Sequence, residues 1–392
     1  MSGPHAVVVG AGPAGLAVAA MLRARRLEAV VLEKAADVGA TWRRHYDRLR
    51  LHTARGLSGL PGLAIPRAAG RWPARDAVVA YLEAYVQHHR LDVRLGTEAL
   101  AVAREGGAWT VRTPGGSVRA PALVVATGAC RVPRLPAWPG LEAFRGEVLH
   151  SSQYRSGARF RGRDVLVVGA GNSGAELAVD LVEQGAGRVW LSVRTPPNLV
   201  TRSVGGVPAQ AISIALSPLP LPVADALARA TARLVVGDLS AYGLPPARSG
   251  VYTQMVKDRH IPIIDVGLVA LLRERRVEVV PQVVAFDGAE VRLGEGRSVA
   301  PDAVVAATGY EPGLAPLLGH LGVLGEDGGP RVHGAETLPM APGLHFTGFT
   351  VPATGHLREM GRDARRIAAA IAAASRTTSA PARHDQPLQP AP

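Results

Sequence analysis

Two glycine clusters in this chain each follow a short, wholly apolar run. Ala6-Val7-Val8-Val9 leads into Gly10-Ala11-Gly12-Pro13-Ala14-Gly15, and Val165-Leu166-Val167-Val168 leads into Gly169-Ala170-Gly171-Asn172-Ser173-Gly174. Apolar runs of this length read as buried strands, and apolar residues at helical spacing follow each cluster. In such a strand–turn–helix unit the glycines permit the tight turn, close approach of backbone to a pyrophosphate, and close packing of helix on strand. The helix N-terminus adds N–H donors and the positive end of its dipole. The chain is therefore expected to be α/β, with two Rossmann-like dinucleotide-binding domains. One such unit would suggest a dehydrogenase; two suggest an enzyme that passes electrons from one dinucleotide to another.

The two units end differently. Glu33 closes the second strand of the first unit, 18 residues after Gly15, with Lys34 beside it. A carboxylate there accepts hydrogen bonds from an adenosine ribose. The matching strand of the second unit ends at Arg194, 20 residues after Gly174, with no terminal carboxylate. A carboxylate repels a 2′-phosphate and a guanidinium binds it bidentately, so NADPH is expected over NADH. Ser192, Thr195 and Arg202 are candidate helpers.

With 392 residues, 47% hydrophobic and 19% charged, the composition is that of an ordinary globular chain. The net charge of +12 comes from arginines spread along the sequence, and only Lys34 and Lys257 are lysines. No dense basic run with interleaved aromatics occurs, so an attraction for anionic ligands such as NADPH is the more economical reading than nucleic-acid binding. Cys130 is the single cysteine. It excludes an intramolecular disulfide and any Cys-x-x-Cys chemistry, and with it the thioredoxin-reductase and disulfide-reductase readings. No apolar run approaches the ~18 residues of a membrane span, and no charged region precedes the first apolar stretch. A cytoplasmic protein without membrane or nucleic-acid partners is expected, and a homodimer stays open.

The pattern along the chain predicts a helix over 75–89, a hairpin across Pro114-Gly115-Gly116, short strands around the Asp287-Gly288 turn, and a helix around 355–374. Ala126-Thr127-Gly128 is echoed by Ala307-Thr308-Gly309-Tyr310, and Thr347-Gly348-Phe349 closes a further strand. These turns supply the candidate cofactor contacts Thr127, Gly128, Thr308, Gly309, Tyr310 and Gly348. The layout implies one domain interrupted by another: a first part of the first dinucleotide-binding domain over 1–150, an NADPH domain over 151–300 with an irregular insert at 196–262, the second part of the first domain over 301–375, and a disordered tail over 376–392.

Between the glycine clusters stands Phe144-x-Gly146-x-x-x-His150-x-x-x-Tyr154. A lone histidine is usually structural. In this company, however, the chain resembles the class B flavin-dependent monooxygenases, whose pattern F-x-G-x-x-x-H-x-x-x-Y/F it matches at all four fixed positions. Gly39-Ala40-Thr41-Trp42 looks like the family's element near the flavin, which adds Thr41 and Trp42 to the candidate cofactor contacts. The resemblance is closer to the plant YUCCA-type branch, through Tyr154-Arg155-Ser156-Gly157, Phe160-Arg161-Gly162, Gly171-Asn172-Ser173-Gly174-Ala175-Glu176, Gly237-Asp238 and Pro262-Ile263-Ile264-Asp265-Val266-Gly267. It runs from about residue 5 to residue 370. Baeyer–Villiger relatives continue the motif with Trp-Pro where this chain has Tyr154-Arg155. Animal-type members carry an Asn near the flavin. The stretch Leu51-His52-Thr53-Ala54-Arg55-Gly56 has none, so Arg55, His52 or NADP itself is left to shield the oxygen adduct.

The resemblance implies that NADPH reduces FAD and that the reduced flavin captures O2 as a C4a-(hydro)peroxide. One oxygen atom then goes to a small organic substrate. His150, Tyr154 and Arg55 are the implied catalytic positions, with His150 chiefly an organiser of NADPH placement. The implied reaction is oxidative decarboxylation of a 2-oxo acid of the indole-3-pyruvate type, or N- or S-oxygenation. An NADPH-flavin oxidoreductase or oxidase without substrate oxygenation is the alternative. No metal is expected.

Overall fold

A computed structural model describes residues 3–379. Two five-stranded parallel sheets dominate it. The first runs 344–346, 122–125, 6–9, 29–32, 92–94 across its width, and the second runs 147–150, 303–306, 165–168, 189–192, 278–280. Their register is parallel throughout. The central strands are apolar at every position because both faces are covered. In the first sheet Ala6 and Val8 join one core with Leu16 and Ile367, and Val7 and Val9 join another with Trp109 and Phe346. In the second sheet Val165 and Val167 pack with Leu177, and Leu166 and Val168 pack with Phe286.

The sheets are structural counterparts strand by strand. Each fingerprint strand lies between the second strand of its unit and the strand that ends in Ala-Thr-Gly. An antiparallel three-stranded sheet interrupts each unit at the same place, 101–105/108–113/116–120 in the first and 283–287/290–293/298–299 in the second. The hairpin expected across Pro114-Gly115-Gly116 is present, and 101–105 adds a third strand to the two expected. Both glycine frames also obey the same contact rule. A Cβ on Gly15 would lie 2.0 Å from the carbonyl oxygen of Gly10, and one on Gly174 would lie 1.9 Å from that of Gly169. Helix and strand touch there, backbone to backbone, as the third glycine requires.

The second sheet corrects the expected boundaries. Strand Glu147–His150 pairs with Ala303–Ala306, which pairs with the second fingerprint strand Val165–Val168. Boundaries at 150 and 300 therefore assign two strands of the second sheet to the first domain. Sequence order misleads because parallel sheets are assembled by crossovers, and both strands reach the second sheet from outside the 151–300 window.

The expected helix over 75–89 is Arg75–His89. The last helix, His356–Ser379, packs on the first fingerprint helix Pro13–Arg23, with alanines on both sides (Ala17, Ala20, Ala364, Ala368) that let the backbones approach. It also continues through 376–379, which were expected to belong to the tail; 380–392 lie outside the described residues. The insert at 196–262 combines loops with helices. It contains helices Ala209–Leu216, Leu221–Val235 and Val251–Lys257. No helix among the described residues is long and apolar enough to cross a membrane.

Candidate active site

A cavity of about 830 Å³ runs from the first glycine turn to the helices of the insert. Gly10, Gly12, Pro13, Ala14, Glu33, Lys34, Thr41, Trp42, Thr127, Gly128, Asn172, Tyr310 and Gly348 line it, all of them expected cofactor contacts. Glu33 is held by the loop it faces. Its carboxylate accepts from the Ala11 N–H at 2.8 Å and the Ala35 N–H at 2.9 Å.

The residues present fit two dinucleotides. A Cβ on Gly12 or on Gly171 would meet nothing within 4 Å, in contrast to Gly10, Gly15, Gly169 and Gly174, where backbone lies under 3 Å away. The protein itself therefore does not require glycine at Gly12 or Gly171; room for something outside the polypeptide does. Each stands as N-cap of its fingerprint helix, Pro13–Arg23 or Asn172–Glu183, with no side chain capping the free N–H groups. Thr127 Oγ1 is buried beside the first cradle without a partner.

In the second unit, Ser173 lies behind the turn and hydrogen-bonds Tyr46. Asn172 uses its amide internally, donating to the Pro262 carbonyl at 3.0 Å and accepting from the Ile264 N–H at 2.7 Å. It thereby clips the Pro-Ile-Ile-Asp segment onto the helix start. Arg194 and Thr195 are exposed just beyond strand Val189–Ser192, off the cavity. Ser192 is buried and donates its hydroxyl to the Pro281 carbonyl at 2.9 Å, so its side chain is not free for a 2′-phosphate. Arg202 stacks its guanidinium on Trp72 at 5.3 Å.

His150 ends its strand 5% exposed. Its Nδ1 accepts from the Ser152 N–H at 3.1 Å, so Nε2 carries the proton and donates to the Gly309 carbonyl at 3.1 Å. Burial lowers its pKa, which keeps the ring neutral at pH 7. The ring meets Tyr310 edge-on at 4.9 Å, and Tyr310 lines the cavity. His150 thus acts through Tyr310 and the Thr308-Gly309 turn, whose threonine hydroxyl donates to the Arg134 carbonyl.

Two expected catalytic positions are corrected. Tyr154 is fully buried off the cavity, stacked on Phe160, and donates its hydroxyl to Asp180 at 2.7 Å. Arg55 also lies off the cavity; its Nη1 donates to the Ile65 carbonyl at 3.1 Å. The motif spacing placed Tyr154 near the site because sequence distance does not show which face of a turn a side chain takes. Arg155, where the Baeyer–Villiger pattern has proline, donates to the carbonyls of Arg43 and His45 at 2.7 and 2.9 Å. Proline offers no such donors.

The far end of the cavity is built by the 196–262 insert. Leu199, Val204, Ile212, Leu216, Tyr252 and Met255 wall it. Gln210 ties this wall to the flavin side: its side-chain carbonyl accepts from the Ala54 N–H at 3.1 Å and its amide donates to the Thr354 carbonyl at 2.9 Å. A Cβ on Gly355 would sit 2.4 Å from that amide, at φ +102°. No periodic signal marks Gln210; the Gly355-His356 helix start was the one visible clue.

Residues 7–204 match the family described as pyridine nucleotide-disulphide oxidoreductase. The chain is 37% identical to indole-3-pyruvate monooxygenase YUCCA1 of Oryza sativa subsp. japonica, over 88% of this chain and 87% of the relative. The chain belongs to the class B flavin-dependent monooxygenases. It is similarly 36% identical to YUCCA8 of Oryza sativa subsp. indica, over 95% of this chain and 91% of the relative. Among solved structures, the flavin-containing monooxygenase of Stenotrophomonas maltophilia superposes with a TM-score of 0.74 at 26% identity, covering 96% of this chain and all of that one. Like its family, this monooxygenase uses FAD and NADPH and acts with O2 on a small substrate. The absence of a cysteine pair separates it from the disulfide chemistry in the matched family's description.

Proposed function

We propose that this flavin monooxygenase oxidatively decarboxylates a 2-oxo acid bearing an aromatic side chain, of the indole-3-pyruvate type. The observation that carries the reading is the apolar chamber that Leu199, Ile212, Leu216, Tyr252 and Met255 build at the end of the cavity. Chambers lined this way take flat apolar groups and orient them through a few polar contacts. The names of the plant relatives support the same substrate class.

In this reading Gly12–Gly15 and Glu33 hold FAD, and Gly171–Gly174 with Arg194 hold NADPH. Bound FAD, reduced by NADPH, supplies the activated oxygen. The protein orients the substrate and excludes water, a division of labour usual for cofactor enzymes. The balance is one 2-oxo acid, one O2, one NADPH and one proton going to the acid one carbon shorter, CO2, water and NADP. The insert helices and Gln210 wall the chamber. Burial lowers the pKa of His45 and His356 at the cavity wall, so both are neutral at pH 7 and present hydrogen-bonding groups without charge.

The test is a panel of aryl pyruvates, amines and sulfides under labelled oxygen. The reading requires CO2 release and label in the shortened acid, with NADPH consumption matched to product. An amine or sulfide oxide as the coupled product would replace it. NADPH consumption with hydrogen peroxide as the sole oxygen product would point to an oxidase.

A further inference from the structure

Glu176 is 1% exposed, on the second fingerprint helix one turn after Asn172. Three side chains of the 46–52 segment converge on it from the flavin side. Tyr46 hydrogen-bonds its carboxylate, Arg48 Nη1 lies 3.8 Å from Oε2, and His52 Nε2 lies 2.7 Å from Oε1. Arg202 faces the same carboxylate from the insert. A buried carboxylate persists when it is paired and hydrogen-bonded. This contact is electrostatic, since Oε1 has no partner in hydrogen-bond geometry among the described residues, and it leaves the other ring nitrogen, Nδ1, uncommitted. That Nδ1 is buried and has no partner among the described residues, while His52 itself lines the cavity.

We propose that Glu176 and His52 form a positioning pair for the nicotinamide nucleotide: His52 Nδ1 makes a hydrogen bond to the nicotinamide riboside. Asn172 and Glu176 are four residues apart and share one helix face. The imidazole anchored on Glu176 therefore stands beside the helix start that faces the second pyrophosphate. Arg194 and Thr195, at the strand end where an adenosine belongs, are exposed and off the cavity. The half of the nucleotide that enters the cavity is then the nicotinamide half. The carboxylate, 2.7 Å from Nε2, holds the ring in place electrostatically. The inference rests on NADPH use and not on the identity of the substrate.

The experiment is titration of NADP⁺ into the FAD-loaded, oxidised protein, followed by the visible absorbance of the flavin, with FAD content and melting temperature measured alongside. His52→Asn keeps a hydrogen-bonding amide near the position of Nδ1. His52→Gln keeps an amide near Glu176 but removes the group at the position of Nδ1. The pair predicts that His52→Asn binds NADP⁺ within about threefold of the parent and that His52→Gln binds about tenfold more weakly, the effect of one hydrogen bond. The opposite order, or equal affinity in both, would make His52 a mere brace for Glu176 and overturn the proposal. Should both variants lose FAD, Glu176→Gln is decisive. Weaker NADP⁺ binding with FAD retained supports the pair; unchanged binding, or loss of FAD here as well, overturns it. No substrate is present, so failure here is separate from failure of the 2-oxo acid reading.

Discussion

The imidazole of His150 donates from Nε2 to the carbonyl of Gly309, 3.1 Å away, and so ties the end of one strand to the turn that follows its neighbour. That turn carries Tyr310 at the cavity wall. His150→Ala is expected to leave FAD bound while flavin reduction by NADPH slows or hydrogen peroxide release rises, because the turn that carries Tyr310 must stay in place at the cavity wall for hydride transfer. Stopped-flow reduction and a coupled peroxide assay measure both. Unchanged rate and coupling would leave the histidine with no functional role.

Tyr154 and Asp180 form a second link in the same motif. The buried Asp180 carboxylate accepts from the Tyr154 hydroxyl at 2.7 Å and from the Gly157 N–H at 2.8 Å. Tyr154→Phe removes one of these and leaves the charge under-satisfied. A loss of about 1.5–3 kcal/mol in stability is expected, the usual value for a hydrogen bond to a charged group. Thermal melting of the FAD-loaded protein reads it, and the Michaelis constants should not move.

Gly12 and Gly15 separate cofactor space from protein space. Gly12→Val is expected to fold and lose FAD, because its side chain meets no protein atom within 4 Å at Cβ. Gly15→Ala is expected to misfold, its Cβ being driven to 2.0 Å from the Gly10 carbonyl oxygen. Circular dichroism and flavin content distinguish the two. A folded Gly12→Val protein with full FAD would remove the first glycine turn from the flavin site.

Arg194 stands exposed beyond strand Val189–Ser192, free to meet a 2′-phosphate. Arg194→Ala is expected to raise the Michaelis constant for NADPH by roughly ten- to a hundredfold and to change that for NADH little, from a charge-assisted contact of ~1.5–3 kcal/mol. Equal effects on both cofactors would place the phosphate elsewhere.

Asp363 lies buried behind Gly334, with His333 Nδ1 3.2 Å from its carboxylate. Burial, and then the charge of Glu359, raise its pKa to about 6. A carboxyl raised in the folded state favours folding while protonated. Its contribution is complete below the ordinary aspartate range and is lost as pH rises through about 6. Asp363→Asn should therefore flatten the fall in melting temperature between about pH 4 and pH 6. An unchanged profile would show that Asp363 does not set it.

The Phe-x-Gly portion of the central motif has a packing cause that no spacing argument reaches. Phe144 packs edge-on against Phe286 at 5.1 Å, and its ring lies 2.6 Å from where a Cβ on Gly146 would stand. Glycine is needed there because the phenyl ring folds back over it. The partner, Phe286, comes from a strand on the far side of the second fingerprint unit.

Short-range order is written in the chain itself. Apolar runs, glycine turns and helix starts follow from backbone sterics and local spacing, so both dinucleotide frames and the paired Ala-Thr-Gly turns are legible from the residues alone. The charge contrast between Glu33 and Arg194 is legible for the same reason. Contacts that span the chain are settled by folding. His52 meets Glu176, Gln210 meets Ala54 across 156 positions, and strands 147–150 and 303–306 join one sheet. Such contacts form when parallel crossovers bring distant segments together, and nothing periodic in either segment announces the partner. The same limit explains Tyr154. Its place in the motif is plain, but whether it faces the cavity or Asp180 depends on how the second glycine helix packs against it.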